Sequence, residues 1–276
     1  METRYTLGVA GVIEALLLVA LVAVIISTIQ LVYIPDIMEQ KEADHMDDVE
    51  NQFSDLKATI DLQIILQRDV PISSTITLGS KELPYFVTAR TIGEIEIIGN
   101  TSSRIETDFI SNIPLTSIKY QAINAYYIDQ AYILEGGGVI LKQYNGETMK
   151  IDPVLSFQNM TNEIRINWVI PQFVTVVGKN YTEGYKTTYI RTNYTSETTY
   201  EGQTSFIKIY TNYLNAWNSS LNRIFDEAVR NGYINIYKNP TSNPEYVYIT
   251  PGSKNIYVTF TVARIGAQIG PGAVLS

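Results

Sequence analysis

Ala15-Leu16-Leu17-Leu18-Val19-Ala20-Leu21-Val22-Ala23-Val24-Ile25-Ile26-Ser27-Thr28-Ile29-Gln30-Leu31-Val32-Tyr33-Ile34-Pro35 is the stretch that decides the fold. Its 21 residues contain no Asp, Glu, Lys or Arg. A helix of that length, rising about 1.5 Å per residue, covers roughly the 30 Å of a bilayer core. Glu14 stands at its entrance, Gly8 and Gly11 lie just before, and Arg4 is the only basic residue upstream. A secretory signal has a basic region, then a short apolar core, then small residues at the cut. Here the small residues precede the apolar run, so any cut beside them leaves the apolar helix on the mature protein.

Downstream the character reverses. Between Asp36 and Asp69 there are ten Asp and Glu against three Lys and Arg, a local balance of −7 in a chain whose net charge is −8. Basic residues beside a span hold a loop in the cytoplasm. Arg4 before the span and acid after it therefore favour the N-terminus inside and the remainder outside. The acidity argues against nucleic acid as a primary ligand. With no cysteine in 276 residues, disulfides, thiolate chemistry and Cys-based metal sites are excluded.

Pro35 removes a backbone donor and crowds the carbonyl four residues back, so a kink or break is expected there. Beyond it Met46, Val49, Phe53, Leu56 and Ile60 recur at spacings of 3, 4, 3 and 4, one apolar stripe on a helix. That stripe can pack on the chain's own head or on the same helix of a neighbour. The helix should stop by about Asp69, ahead of Pro71. Residues 7–69 would then form one long helix of roughly 95 Å. His45, the only histidine, sits among Glu42, Asp44, Asp47 and Asp48. Such a cluster could take a divalent cation, but without a second histidine a solvated acidic face is the better reading, and no metal or cofactor is expected.

From residue 70 the period changes to two. Ile164, Ile166, Trp168 and Ile170 share one face, as do Ile256, Val258, Phe260 and Val262, the pattern of half-buried antiparallel strands. Further strands are expected at 73–78, 84–90, 94–99, 115–121, 126–134, 138–144, 173–177, 185–195, 205–211, 233–238 and 245–249. One inserted helix is expected between Asn212 and Arg230, stopped by Asn231-Gly232. Gly136-Gly137-Gly138 is followed by strand-like Val139-Ile140-Leu141, so it reads as a hairpin turn and not a phosphate cradle. The Thr, Tyr and Asn-rich segment Asn180–Gln203 reads as a solvent-facing hairpin. The fold class is α+β. Residues 1–35 are the apolar helix, 36–69 the acidic amphipathic stalk and 70–276 a β-rich, sandwich-like head; a split of the head near 155–163 is the alternative. Sequons at Asn100, Asn159, Asn180, Asn193 and Asn218 all lie in the head, where an extracellular location would let them carry glycans. No catalytic constellation emerges: a Ser/His/Asp site would depend on His45, in the stalk.

The run Val9-Ala10-Gly11-Val12-Ile13-Glu14-Ala15-Leu16-Leu17-Leu18-Val19-Ala20, with Gly8 before it, resembles the N-terminus of archaeal type IV pilin-like proteins that carry a class III signal peptide. A strand running into a helix with Ala216-Trp217, and the run Ala131–Ile140, resemble units of the same group. The resemblance implies cutting after Gly8 or Gly11 and a subunit held in the membrane by the uncut helix until it assembles. It then implies a homo-oligomeric helical filament at the cell surface, with N-terminal helices in the core and β heads outside, meeting glycans or surfaces. Glu14 would meet a neighbour's N-terminal amine. Bacterial relatives place that glutamate fifth, whereas Glu14 would be sixth after a cut at Gly8 or third after a cut at Gly11. The rival expectation is a membrane-tethered adhesin or receptor that does not polymerise.

Overall fold

Residues 3–66 are helical in the computed structural model, which describes residues 3–80, 91–99, 101–175 and 179–270, with side chains from residue 11 onward. Helix α1 (Thr3–Thr28) passes through a single π turn (Ile29–Tyr33) into α2 (Ile34–Leu66). The irregularity expected at Pro35 takes the form of this turn. The Ile34 N–H bonds the Ile29 carbonyl, five residues back, while Tyr33 and Ile34 keep helical dihedrals. The wider turn resets the register so that Pro35 falls in the first turn of α2, where its missing N–H has no partner to lose. The helix ends where expected. Gln67 adopts φ 49°, ψ 38° and returns its N–H to the Gln63 carbonyl at 2.9 Å.

The head begins with β1 (Ile72–Thr77), β2 (Ile92–Ile98), β3 (Arg104–Thr107), β4 (Ile113–Pro114), β5 (Ser117–Ile123), β6 (Gln130–Glu135), β7 (Gly138–Gln143) and β8 (Gly146–Ile151). It continues with β9 (Leu155–Asn159), β10 (Glu163–Thr175), β11 (Tyr181–Gly184), β12 (Thr187–Thr204) and β13 (Ile207–Tyr210). Helices α3 (Leu214–Ile224) and α4 (Asp226–Arg230) precede β14 (Ile234–Asn239), β15 (Tyr246–Pro251) and β16 (Asn255–Ile269). The described strands form three sheets, in the orders β1-β12-β16-β10-β9, β11-β2-β5-β6-β7-β8 and β14-β15-β13-β3-β4. This is more than a two-sheet sandwich. The strand expected at 84–90 lies outside the described residues.

Two expectations are corrected. The strands holding Ile164–Ile170 and Ile256–Val262 are neighbours, but parallel, in register from Glu163↔Asn255 to Thr175↔Ala267. Alternation reports one buried face and is silent on direction; β9 and β12 supply the antiparallel partners on either side. Asn180–Gln203 is also no hairpin. Tyr181–Gly184 pairs with β2 in one sheet, and Thr187–Thr204 lies between β1 and β16 in another. Ile190, Thr192 and Tyr194 are buried, while residues 195–201 are exposed.

The long strands β10 and β16 serve two cores. Along β16 the side chains of Ile256, Val258, Phe260 and Val262 enter one cluster, and those of Ala263, Ile265, Ala267 and Ile269 enter the other. The change from even to odd positions means that opposite faces of the sheet are covered at its two ends. One cluster holds Trp217, Leu221 and Phe225 of the helical insertion, with Trp168 and Trp217 at 5.4 Å between ring centroids. The other holds Met46, Val49, Phe53, Leu56 and Ile60 of α2. Within the head the Gly-rich run turns β6 into β7: Gly136 and Gly137 have φ of 59° and 86°, and Glu135 pairs with Gly138. The expected insertion is two helices that meet at Phe225, and Gly232 (φ 67°) follows them.

Candidate functional site: one helix with two environments

Every described side chain from Gly11 to Tyr33 is exposed. Leu17 is 67% and Leu31 76% accessible, on a helix whose mean hydropathy over its most apolar 18-residue window is 2.8. By length and composition this helix can cross a membrane. Apolar side chains face all directions, which is the pattern of a helix surrounded by lipid or by other helices. Gly8 and Gly11 both lie within α1, and Gly11 has open space around it. Glu14 is exposed on the same surface.

Four turns after the π turn the same helix is part of a core. Met46, Val49, Phe53, Leu56 and Ile60 are at most 1% exposed. Each such side chain contributes about 1.5–3 kcal/mol on burial. Of the two partners open to the stripe, the structure therefore selects the chain's own head, leaving these five side chains no free surface for a neighbour. Phe53 lies 5.9 Å from the Tyr132 ring and 6.5 Å from the Tyr120 ring.

Polar anchors run alongside the stripe. Glu42 is fully buried, and its carboxylate accepts the backbone N–H groups of Ala125 (3.0 Å), Tyr126 (2.7 Å) and Tyr127 (2.7 Å). His45 is buried as well. Its Nε2 lies 3.0 Å from the Tyr120 hydroxyl, which donates to the Leu78 carbonyl at 2.8 Å. Gly93 makes room for that tyrosine: a Cβ there would fall 2.6 Å from its hydroxyl and 2.1 Å from the Leu78 oxygen. Glu50 accepts from the Tyr132 hydroxyl (2.9 Å) and Lys150 (3.0 Å). The Gln52 side chain bonds both the backbone N–H and the hydroxyl of Thr77, and Gln63 donates to the Thr192 carbonyl at 2.7 Å.

The solvated acidic face expected around His45 is thus corrected in half. Asp44, Asp47 and Asp48 are exposed, whereas Glu42 and His45 point into the head. Burial lowers the His45 pKa, opposed by a hydrogen bond to the Leu78 backbone and by the Asp48 and Glu42 carboxylates. Nor is the histidine remote from the head's strands as expected; its hydrogen bond goes to Tyr120 on β5. No group of three or more His, Cys, Asp or Glu able to hold a metal occurs among the described residues.

The sequons fall in different settings. Asn159 and Asn180 are exposed, Asn193 donates to Asp69 at 2.7 Å, Asn218 is half-buried on α3, and Asn100 lies outside the described residues. A glycan on Asn193 would displace the bond that ties the end of the stalk to β12. A second polar centre went unread in the sequence. Glu135, 2% exposed, accepts from Thr211 (2.8 Å) and the Trp217 indole (3.0 Å). Burial pushes its pKa up to about 7 against the pull of those two bonds.

No protein-family model, no curated protein and no solved structure matches this chain.

Proposed function

We propose that this chain is the structural subunit of a pilus-like filament at the cell surface. The observation that carries the reading is the continuity of the helix. Its exposed apolar half runs, without leaving helical geometry, into a half built into the head's core. A simple tether has no need of rigid coupling between span and head. In a helical polymer that coupling fixes where each head sits once the apolar halves have packed together. In the membrane the apolar half is the anchor; on assembly it exchanges lipid for copies of itself. Glu14, costly in hydrocarbon, then gains a polar partner on a neighbour. The heads form the outer layer and carry the exposed sequons.

Shearing cells and pelleting the released material, with electron microscopy and mass spectrometry of the N-terminal peptide, tests the reading. This chain is expected as the main component of a regular fibre, with its N-terminus after Gly8 or Gly11. Recovery only in the membrane fraction, with no fibre, makes it a tethered adhesin or receptor instead.

A further inference from the structure

One row of the six-stranded sheet lies at the margin of the core that holds Trp217, with Ala131 still buried in it. Ile133 and Ile140 are buried there with Met149. Two residues along, Gln121, Ala131 and Lys142 lie in register across β5, β6 and β7. The cover stops at Tyr213, the residue before α3, and a groove of about 590 Å3 opens beside it. That volume is within the range of small-molecule sites.

The lining has a consistent chemistry. Both lysines line the groove: Lys142 on β7 lies across from the short Ala131, and Lys119 on β5 lies across from Ile133, two residues along β6. Among the described residues neither lysine has a carboxylate within ion-pair distance; the Lys142 Nζ stands 5.7 Å from the centre of the Tyr213 ring. The nearby carboxylates have other duties or face solvent. Asp129, which also lines the groove, accepts the Asn124 N–H at 2.9 Å. Glu147, across from Lys142, accepts the Asn215 N–H at 2.8 Å, and Glu96, across from Lys119, is exposed. Gln121, Gln130, Gln143 and Asn145 add four amides, each able to donate and accept. Tyr144 at the rim is 98% exposed.

We propose that this groove binds a carboxylate-bearing saccharide. The lysine pair takes the carboxylate, the amides take the hydroxyls, and the Tyr144 ring stacks on a sugar face. Carboxylates also stand on the exposed face of α2, and a second copy could offer them. A helix face of aspartates, however, brings no hydroxyls for the four amides, which favours the sugar.

The full-length protein in detergent micelles, titrated calorimetrically with trigalacturonate, tests this. The neutral galactose trisaccharide and a peptide of residues 36–60 serve as comparisons. Trigalacturonate is expected to bind saturably, more weakly as salt rises, and at least about tenfold more tightly than the neutral sugar. Lys119→Ala with Lys142→Ala should weaken it by about tenfold or more, whereas Lys142→Arg retains binding because the charge remains. Should the double variant fail to fold, Tyr144→Ala, at a solvent-facing position, is expected to weaken binding severalfold. No saturable binding of trigalacturonate, undiminished binding by the double lysine-to-alanine variant or by Tyr144→Ala, or binding of the peptide alone overturns the proposal. The titration needs no fibre, so the site and the subunit reading can fail separately.

Discussion

Residues 11–33 and residues 38–64 belong to one helix, yet one half has every side chain exposed and the other half fills a core. The first half is apolar on all sides. The second is apolar along one line, interrupted only by the buried Glu42, and carries its other carboxylates off that line. A uniform surface has no preferred partner face and suits many identical neighbours or lipid. A single stripe with polar anchors beside it specifies one partner in one register. The difference therefore separates where this molecule stores its own fold from where it is left open to association.

The largest expected effect breaks that contrast directly. Phe53→Ala should lower the stability of the head by about 3–5 kcal/mol, read as a fall in the thermal midpoint of the full chain in micelles. Leu18→Ala, in the exposed half, should leave that midpoint unchanged. Equal effects would mean that the two halves do not differ as described.

Acid and base should separate the helix seat from the second core. Glu135 in the folded state holds its proton up to about pH 7, against the 4.5 of an ordinary glutamate. The folded state thus binds more protons than the unfolded one, and stability falls as pH rises from 4.5 through 7, by about 3 kcal/mol in all. Glu135→Gln keeps the shape without the charge and should flatten that part of the profile. His45 works with the opposite sign. Its pKa is lowered in the fold, so stability is full above the unfolded value near 6.5 and is lost as pH falls below it. Hydrogen exchange should then find the α2 amides loosened first at acid pH and the surroundings of Trp217 loosened first at alkaline pH. The same order of loosening at both extremes would contradict the assignment.

Smaller still, Glu42→Ala removes an acceptor shared by three backbone N–H groups and should cost about 2 kcal/mol. The loss should show as faster exchange at Ala125, Tyr126 and Tyr127. Gly137→Ala should cost about 1 kcal/mol, from its positive φ and from a Cβ placed 3.2 Å from the Pro171 ring. It should leave the helix seat untouched.

The long helix, its stop at Gln67, the stripe and the β-rich head were legible because each rests on local pattern. The partner of the stripe was not, since Met46 and Phe53 show that a face is buried and not by what. A signal was available: carrying the spacing back from Met46 by fours reaches Glu42 and Met38, both buried, and a carboxylate on an apolar stripe implies a donor waiting for it. The parallel pairing of β10 with β16 depends on a crossover of some eighty residues, which no local window contains. The groove beside Tyr213 is lined by Lys119 from β5 and Lys142 from β7, strands joined only through β6, so no local window of sequence contains it.

If residues 11–33 pack against their own copies in a fibre, as proposed, then their sequence matters beyond being apolar and long enough to span. Replacing that stretch with a leucine–alanine helix of equal length, in cells that produce only this version, tests it most directly. A folded head, membrane attachment and no fibre are expected, where the unaltered chain yields fibres. Fibres formed equally well by the replaced helix, or none formed by the unaltered chain, would contradict it.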